Sequence, residues 1–373
     1  MISWENIYKV VISMAPLYVP LGLGYASVKR WRMFNPDQCD AINRFNCYFI
    51  IPFFTFHFTA GVNPYHMNFR FLAGDVVAKA VAGVSLALWA NFWKTGNFSW
   101  AITSFSLWSL NNTLVVGVPL LRAMYGPVGE DLVVQSSVIQ ALLWFPTLLF
   151  MLELRRSILE HSNRNSIDNI EIVVRNENDH QVENKNSTTS GADSTTAEST
   201  IVYSSPYNSV GSIMMKVGAK LARNPNCYAC TLGLIWALIS KRWDFEMPSI
   251  LEGSVMIMAK AGSGVAMFSM GLFMALQKKV IACGVRLSLF GMILRFVGGP
   301  ITMAIGAFAL GLKSNTFRIA IIQAALPEAV TAFVFAQEYG LHAEVLSTAV
   351  IFGTIVSLPL LIGYYTVLDV LQV

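Results

Sequence analysis

Charge is what this chain lacks. Only 13% of its 373 residues are Asp, Glu, Lys or Arg, 54% are hydrophobic, and the mean hydropathy is +0.53. A soluble domain ordinarily carries about 25% charged residues, so an ordinary water-soluble globule is excluded. Histidine and cysteine are also scarce, at five each. Cys227 and Cys230 form a lone C-x-x-C, with no second pair or nearby histidine to complete a metal site. With Cys39, Cys47 and Cys283 they read as small apolar residues of packed helices, and no metal or cofactor is expected. H-E-x-x-H, G-x-S-x-G and paired intramembrane aspartates are absent, so hydrolytic machinery has no residues and an enzyme is not expected. No cleavable signal peptide is evident: residues 7–28 lack a basic lead and run long, as a first span would. A nucleic-acid partner is not expected.

What is there is apolar length. Ten runs approach or exceed the roughly 20 residues that cross a bilayer as helix: 7–28, 38–62, 70–94, 99–125 and 129–155, then 209–240, 249–276, 281–310, 314–338 and 343–369. The run 209–240 reads as an amphipathic lead-in, Met214 to Arg223, followed by a short span from Asn224. Lipid leaves no backbone group free to stay unpaired, so the spans must be helices and the bilayer is the first partner. Residues 157–208 are polar, acidic and without apolar periodicity, the composition of a disordered linker. The expected organisation is a first half over 1–156, the linker 157–208 and a second half over 209–373. Five spans per half force the halves into opposite orientations, an inverted repeat. Basic residues set the sidedness. Lys29, Arg30, Arg32, Lys94, Arg155, Arg156, Lys216, Lys220, Arg223, Lys278 and Lys279 fall on the linker side; Arg70, Lys241, Arg242 and Lys313 fall on the other. The linker is therefore expected in the cytosol, where the glycosylation patterns at Asn97 and Asn186 would stay unmodified.

The halves echo one another. Asn111-Asn112 is followed by Tyr125-Gly126, Glu130 and Pro146; Pro327-Glu328 is followed by Tyr339-Gly340, Glu344 and Pro359. Gly22-Leu23 leads to Lys29-Arg30-Trp31 as Gly233-Leu234 leads to Lys241-Arg242-Trp243. Each half thus sets a helix-interrupting feature inside an apolar run. Asn side chains compete for backbone hydrogen bonds, and Pro327 removes a donor and frees a carbonyl one turn earlier. If the fourth and ninth helices break there and cross, two half-helix N-termini present N–H groups to an anion. Asn amides donate to the same anion without burying a charge.

Ionisable residues within spans are costly and therefore candidates for function. Asp75 and Lys79, four apart, share a helix face. They read either as a structural ion pair or as a charge pair beneath a substrate site. Lys260 and Arg295 are lone cations, read as snorkelling or as paired with carbonyls. Gln140 and Phe145 in the fifth run, and Phe49 and Ile51 before Pro52, are pocket-lining candidates that spacing alone would equally assign to packing.

Several strings are specific: the opening M-I-S-W-E-N-I-Y-K-V, L-N-N-T-L-V-V-G-V-P at 110–119, N-P-N-C-Y at 224–228 and A-A-L-P-E-A-V-T-A-F-V-F-A-Q-E-Y-G-L-H at 324–342. They resemble the PIN-FORMED auxin transporters of plants across both halves, and the short linker resembles the family's short-loop, endoplasmic-reticulum members. The resemblance implies an all-α polytopic membrane protein with ten transmembrane helices, a scaffold and a transport domain moving as an elevator, and a homodimer. It implies indole-3-acetic acid as the ligand, exchanged between cytosol and reticulum lumen. By motif, Asn112 would donate to the carboxylate and Val330 would contribute backbone contact. Gln140, Phe49, Ile51, Val115 and Phe145 would shape the pocket, Asp75 and Lys79 would support it, and Asn226 would contribute to the site or start a helix. Three positions depart from the family's pattern: Asn111 replaces a usual proline, Glu328 a usual glutamine, and Phe145 a tyrosine of some members. A Glu328 carboxylate beside an anion repels it unless protonated or turned away, so Glu328→Gln is expected to raise uptake at neutral pH. A sodium-coupled carrier of another carboxylate, or an auxin-binding receptor without flux, are the alternatives.

Overall fold

The computed structural model describes residues 4–94, 96–160, 210–277, 281 and 283–371. The expected linker from 161 to 208, Asn186, Lys278 and Lys279 lie outside the described residues. Among those described, regular structure is entirely helical, the sole β feature being one isolated bridge.

Six helices are long and apolar enough to cross a membrane: Tyr8–Lys29, Phe69–Phe92, Pro127–Glu160, Ser249–Leu276, Val285–Ala309 and Ala343–Val370. Numbered along the chain, the elements begin with α1 (Trp4–Lys29), α2 (Pro36–Phe45), α3 (Ile51–Gly61), α4 (Phe69–Phe92), α5 (Phe98–Ser109) and α6 (Val118–Tyr125). Next come α7 (Pro127–Ile139), α8 (145–160), α9 (Val210–Leu221), α10 (Pro225–Trp243), α11 (Ser249–Leu276) and α12 (Val285–Ile293). The chain ends with α13 (Gly299–Ala309), α14 (Ser314–Ala324), α15 (Val330–Glu338) and α16 (Ala343–Val370). The four remaining apolar runs are also helical but shorter, interrupted or less apolar. The lead-in and capped start read at 209–240 are present as α9 and α10, with the Asn224 side chain accepting from the Asn226 N–H and Pro225 at the first helical position.

Residues 1–149 and 220–373 form one compact unit, and 150–219 a second. In the second unit, helix continues through 157–160, four residues further than the linker boundary read from composition. The Arg156–Glu160 ion pair, 3.0 Å apart at i,i+4 spacing, supports that last turn.

Prolines shape the larger unit in a regular way. π-helical turns at Asn46–Ile50, Thr113–Gly117, Gln140–Trp144 and Leu294–Gly298 each precede a proline by two residues: Pro52, Pro119, Pro146 and Pro300. A proline ring clashes with the carbonyl four residues back and donates nothing. In each case the residue before the proline donates five residues back instead, as Ile51 does to Asn46 O and Gly299 to Leu294 O. The widened turn keeps the helix going around the ring.

The core gathers around the two interrupted helices, with Leu107, Leu110, Leu120, Ile322, Leu326 and Val350 all fully buried. Large apolar side chains lie outside it, among them Ile250 (85% exposed) and Phe308 (81%), a surface suited to lipid. α1 and α11 pack closely where Gly24 and Gly271 let backbone approach backbone.

The repeated Y-G-x-x-x-E motif does the same local work twice. Gly126 (φ +67°) ends α6 and Gly340 (φ +61°) follows α15, both left-handed. Glu130 and Glu344 then stand in the first turns of α7 and α16, where the helix dipole favours a carboxylate. Gly126→Ala and Gly340→Ala should each cost about 1 kcal/mol, because an L side chain resists that conformation. A lowered thermal midpoint in detergent would show it. Gly22→Ala, with open space at its Cβ position and a helical backbone, should show no drop.

Candidate functional site

α5 stops at Ser109 and α14 at Ala324, and the segments that follow are extended or irregular. The two interruptions meet as an antiparallel bridge between Asn111 and Glu328. Asn112 N donates to Pro327 O (2.9 Å) and Ala329 N donates to Leu110 O (3.1 Å). Backbone groups released by breaking two helices are thereby satisfied by each other, as a water-poor interior requires.

Asn111 occupies its place by four polar connections. Its backbone N–H donates to Gln140 Oε1 (2.9 Å), and its carbonyl accepts from Gln140 Nε2 (2.6 Å). Its Nδ2 donates to Gln323 O (2.9 Å), and its Oδ1 accepts from Arg295 Nη2. A proline here would carry no N–H; asparagine brings one, and Gln140 supplies the acceptor that burial demands. Gln140, expected as a pocket residue, therefore uses both ends of its amide on the backbone of the break.

Arg295 lies on the π-helical turn Leu294–Gly298 and is 1% exposed. Beyond Asn111 it donates to Leu326 O through Nε and to Leu107 O through Nη1 (3.2 Å). Its Nη1 is 3.6 Å from Glu328 Oε2, and Ser106 Oγ donates to Glu328 Oε1 (3.1 Å). The Glu328 carboxylate is fully buried and turned toward the guanidinium. One cation thus ties α5, the bridge and the end of α14 together.

The support pair is formed: Lys79 Nζ is 3.0 Å from Asp75 Oδ2, and both are buried. Trp144 Nε1 donates to the same carboxylate oxygen (3.0 Å), and Lys79 Nζ lies 5.3 Å from the Trp144 ring centroid. A cavity of about 10 Å³, lined by Asp75, Lys79, Ser109, Asn111 and Thr302, joins this pair to the crossover. That is room for about one water, not an indole ring.

Asn112 closes the site. It is buried and precedes the π-helical turn that opens the second half of the fourth helix, and its side-chain amide takes no hydrogen bond from the described residues. Val330 begins α15 and Val115 lies on the turn after Asn112; both are partly buried. Phe145 is buried edge-on to Phe335, with centroids 6.2 Å apart. Phe49 is exposed and stacked on Phe45 (5.7 Å), while Ile51 is partly buried at the start of α3. Asn226 Oδ1 accepts from Thr55 Oγ1 (2.6 Å), linking α10 to α3. The structure brings Asn111, Asn112, Gln140, Pro327 and Glu328 together; the contacts of Phe49 and Asn226 are with Phe45 and Thr55.

The family described as membrane transport protein matches residues 9–365. Auxin efflux carrier component 5 of Arabidopsis thaliana is 52% identical over 369 residues, covering 99% of each chain. Probable auxin efflux carrier component 5b of Oryza sativa subsp. japonica is 50% identical over 385 aligned positions, covering 100% of each. Auxin efflux carrier component 8 of Arabidopsis thaliana is 38% identical, covering 99% of this chain and 100% of that one.

The chain is a short-loop member of the PIN-FORMED auxin efflux carrier family. As such it is an integral membrane protein of a transporter family.

The Arg295–Glu328 pair and Gln323 complete this PIN-FORMED carrier's crossover. The carbonyl contacts expected of Arg295 are present, and Glu328 stands beside it as well. The signal was available, since a buried carboxylate needs a counter-ion and Lys260 and Arg295 were the unpaired candidates. Lys260 is exposed on α11. Gln323, whose Nε2 donates to Ser136 Oγ and whose carbonyl holds Asn111, carried no signal at all.

Proposed function

We propose that this protein carries indole-3-acetic acid and similar organic anions across a membrane. Its Asn112 amide and the paired half-helix N-termini would hold the substrate carboxylate. The observation that carries this reading is the crossover itself: two interrupted helices bridged at Asn111 and Glu328, with Asn112's amide uncommitted beside two helix starts. Amides and N-terminal N–H groups bind a carboxylate without a resident cation. The printed names of the relatives, auxin efflux carriers over their full length, support auxin as the substrate class.

In this reading the ten apolar runs are ten spans in two inverted five-helix halves. A transport domain that holds the crossover, drawn from both halves, moves as an elevator against a scaffold, in a homodimer. The short linker favours the endoplasmic reticulum over the plasma membrane, with exchange between cytosol and lumen. Purified protein in liposomes should show saturable uptake of labelled indole-3-acetic acid, competed by unlabelled acid. Uptake no faster than in empty liposomes would overturn the proposal.

A further inference from the structure

We propose that Glu328 sets the crossover's affinity for anions by neutralising Arg295, making it a specificity-determining residue of the transport site. The inference rests on the reading of the crossover as an anion site. Arg295 is a full positive charge that is only 1% exposed, and its guanidinium is hydrogen-bonded to Asn111, the neighbour of Asn112. Such a charge would dominate the attraction of any carboxylate arriving at Asn112. Glu328 cancels it from the other interrupted helix, with its carboxylate oriented by Ser106 and directed at Nη1. The charged groups of the neighbouring support site cancel as well, since Asp75 and Lys79 pair at 3.0 Å. The site is therefore formally neutral, and the anion is held by dipoles and amides alone. Ground-state binding stays modest, which favours release on the far side.

Glu328→Gln removes the charge and leaves Arg295 a buried cation that still donates to Asn111, Leu107 and Leu326. The glutamine carbonyl can still accept from Ser106 or Arg295, so the bridge keeps its hydrogen bonds. One unit of positive charge is left beside Asn112. Binding of indole-3-acetate to the purified protein, measured by calorimetry, should then tighten on the order of tenfold. Binding of indole-3-acetamide, the neutral amide of the same shape, should change less than about twofold, since a neutral ligand gains little from the added charge. A merely structural change would move both ligands together. The doubly neutral variant Arg295→Gln/Glu328→Gln removes both charges and should return the carboxylate-to-amide ratio to that of the wild type. That double variant also covers the case in which the lone cation prevents Glu328→Gln from folding.

Equal shifts for both ligands, an unchanged carboxylate affinity in Glu328→Gln, or a double variant whose ratio departs from the wild type would each overturn the inference. Absence of indole-3-acetate binding to the wild type would instead overturn the proposed function.

Discussion

Asn112→Ala should cut kcat/KM for indole-3-acetate uptake by about 10- to 100-fold, the cost of losing one hydrogen bond to a charged group. Its thermal midpoint should stay close to wild type. The two halves of this expectation come from the same geometry. The Asn112 backbone is committed to the bridge through Pro327 O, which alanine preserves. The Asn112 amide makes no hydrogen bond to the described residues, so its removal takes nothing from the folded protein's internal network. Asn111→Ala should behave in the opposite way, since that side chain holds Arg295 and Gln323 O and its loss leaves buried partners unsatisfied. Uptake in liposomes together with a thermal melt in detergent separates the two. Wild-type uptake in Asn112→Ala would remove Asn112 from the site.

Arg295→Met should be strongly destabilising, costing about 3–5 kcal/mol. Methionine fills much of the volume but leaves Glu328 as a buried carboxylate without its cation. It also strips a donor from the carbonyls of Leu107 and Leu326. Breaking one side of a buried pair costs more than removing both, because the remaining charge has lost its compensation. Adding Glu328→Gln to Arg295→Met should therefore recover part of the lost stability, though not all, since the two carbonyls remain undonated. The check is the midpoint of thermal unfolding, with protease sensitivity as a second probe. A single variant as stable as wild type would show that the guanidinium does not hold the crossover.

The breaks themselves were legible because their causes are local. Asn111-Asn112 and Pro327 disfavour helix by their own chemistry, whatever surrounds them. The left-handed glycines and helix-start glutamates of the repeated motif were legible as a repeat, though the repeat by itself did not say that Gly126 and Gly340 end helices. The Asp75–Lys79 pair followed from i,i+4 spacing and is present at 3.0 Å. Composition could not show that the last turn of α8 extends to Glu160, because a polar sequence with one i,i+4 ion pair looks much like a linker.

The sequence by itself determined the solvent, the helical class, the places where two helices must break and the family. These follow from apolar length, residue propensity and identity along the chain, none of which needs a distant partner. Only the tertiary structure decided what the breaks do to each other. Gln140 faces the Asn111 backbone, and the Glu328 carboxylate faces Arg295 across 33 positions of chain. A buried charge must find its counter-charge wherever packing puts one. That choice is made in space, among residues from the segments after α5 and α14 and the π-helical turns after α7 and α12, and no local pattern records it.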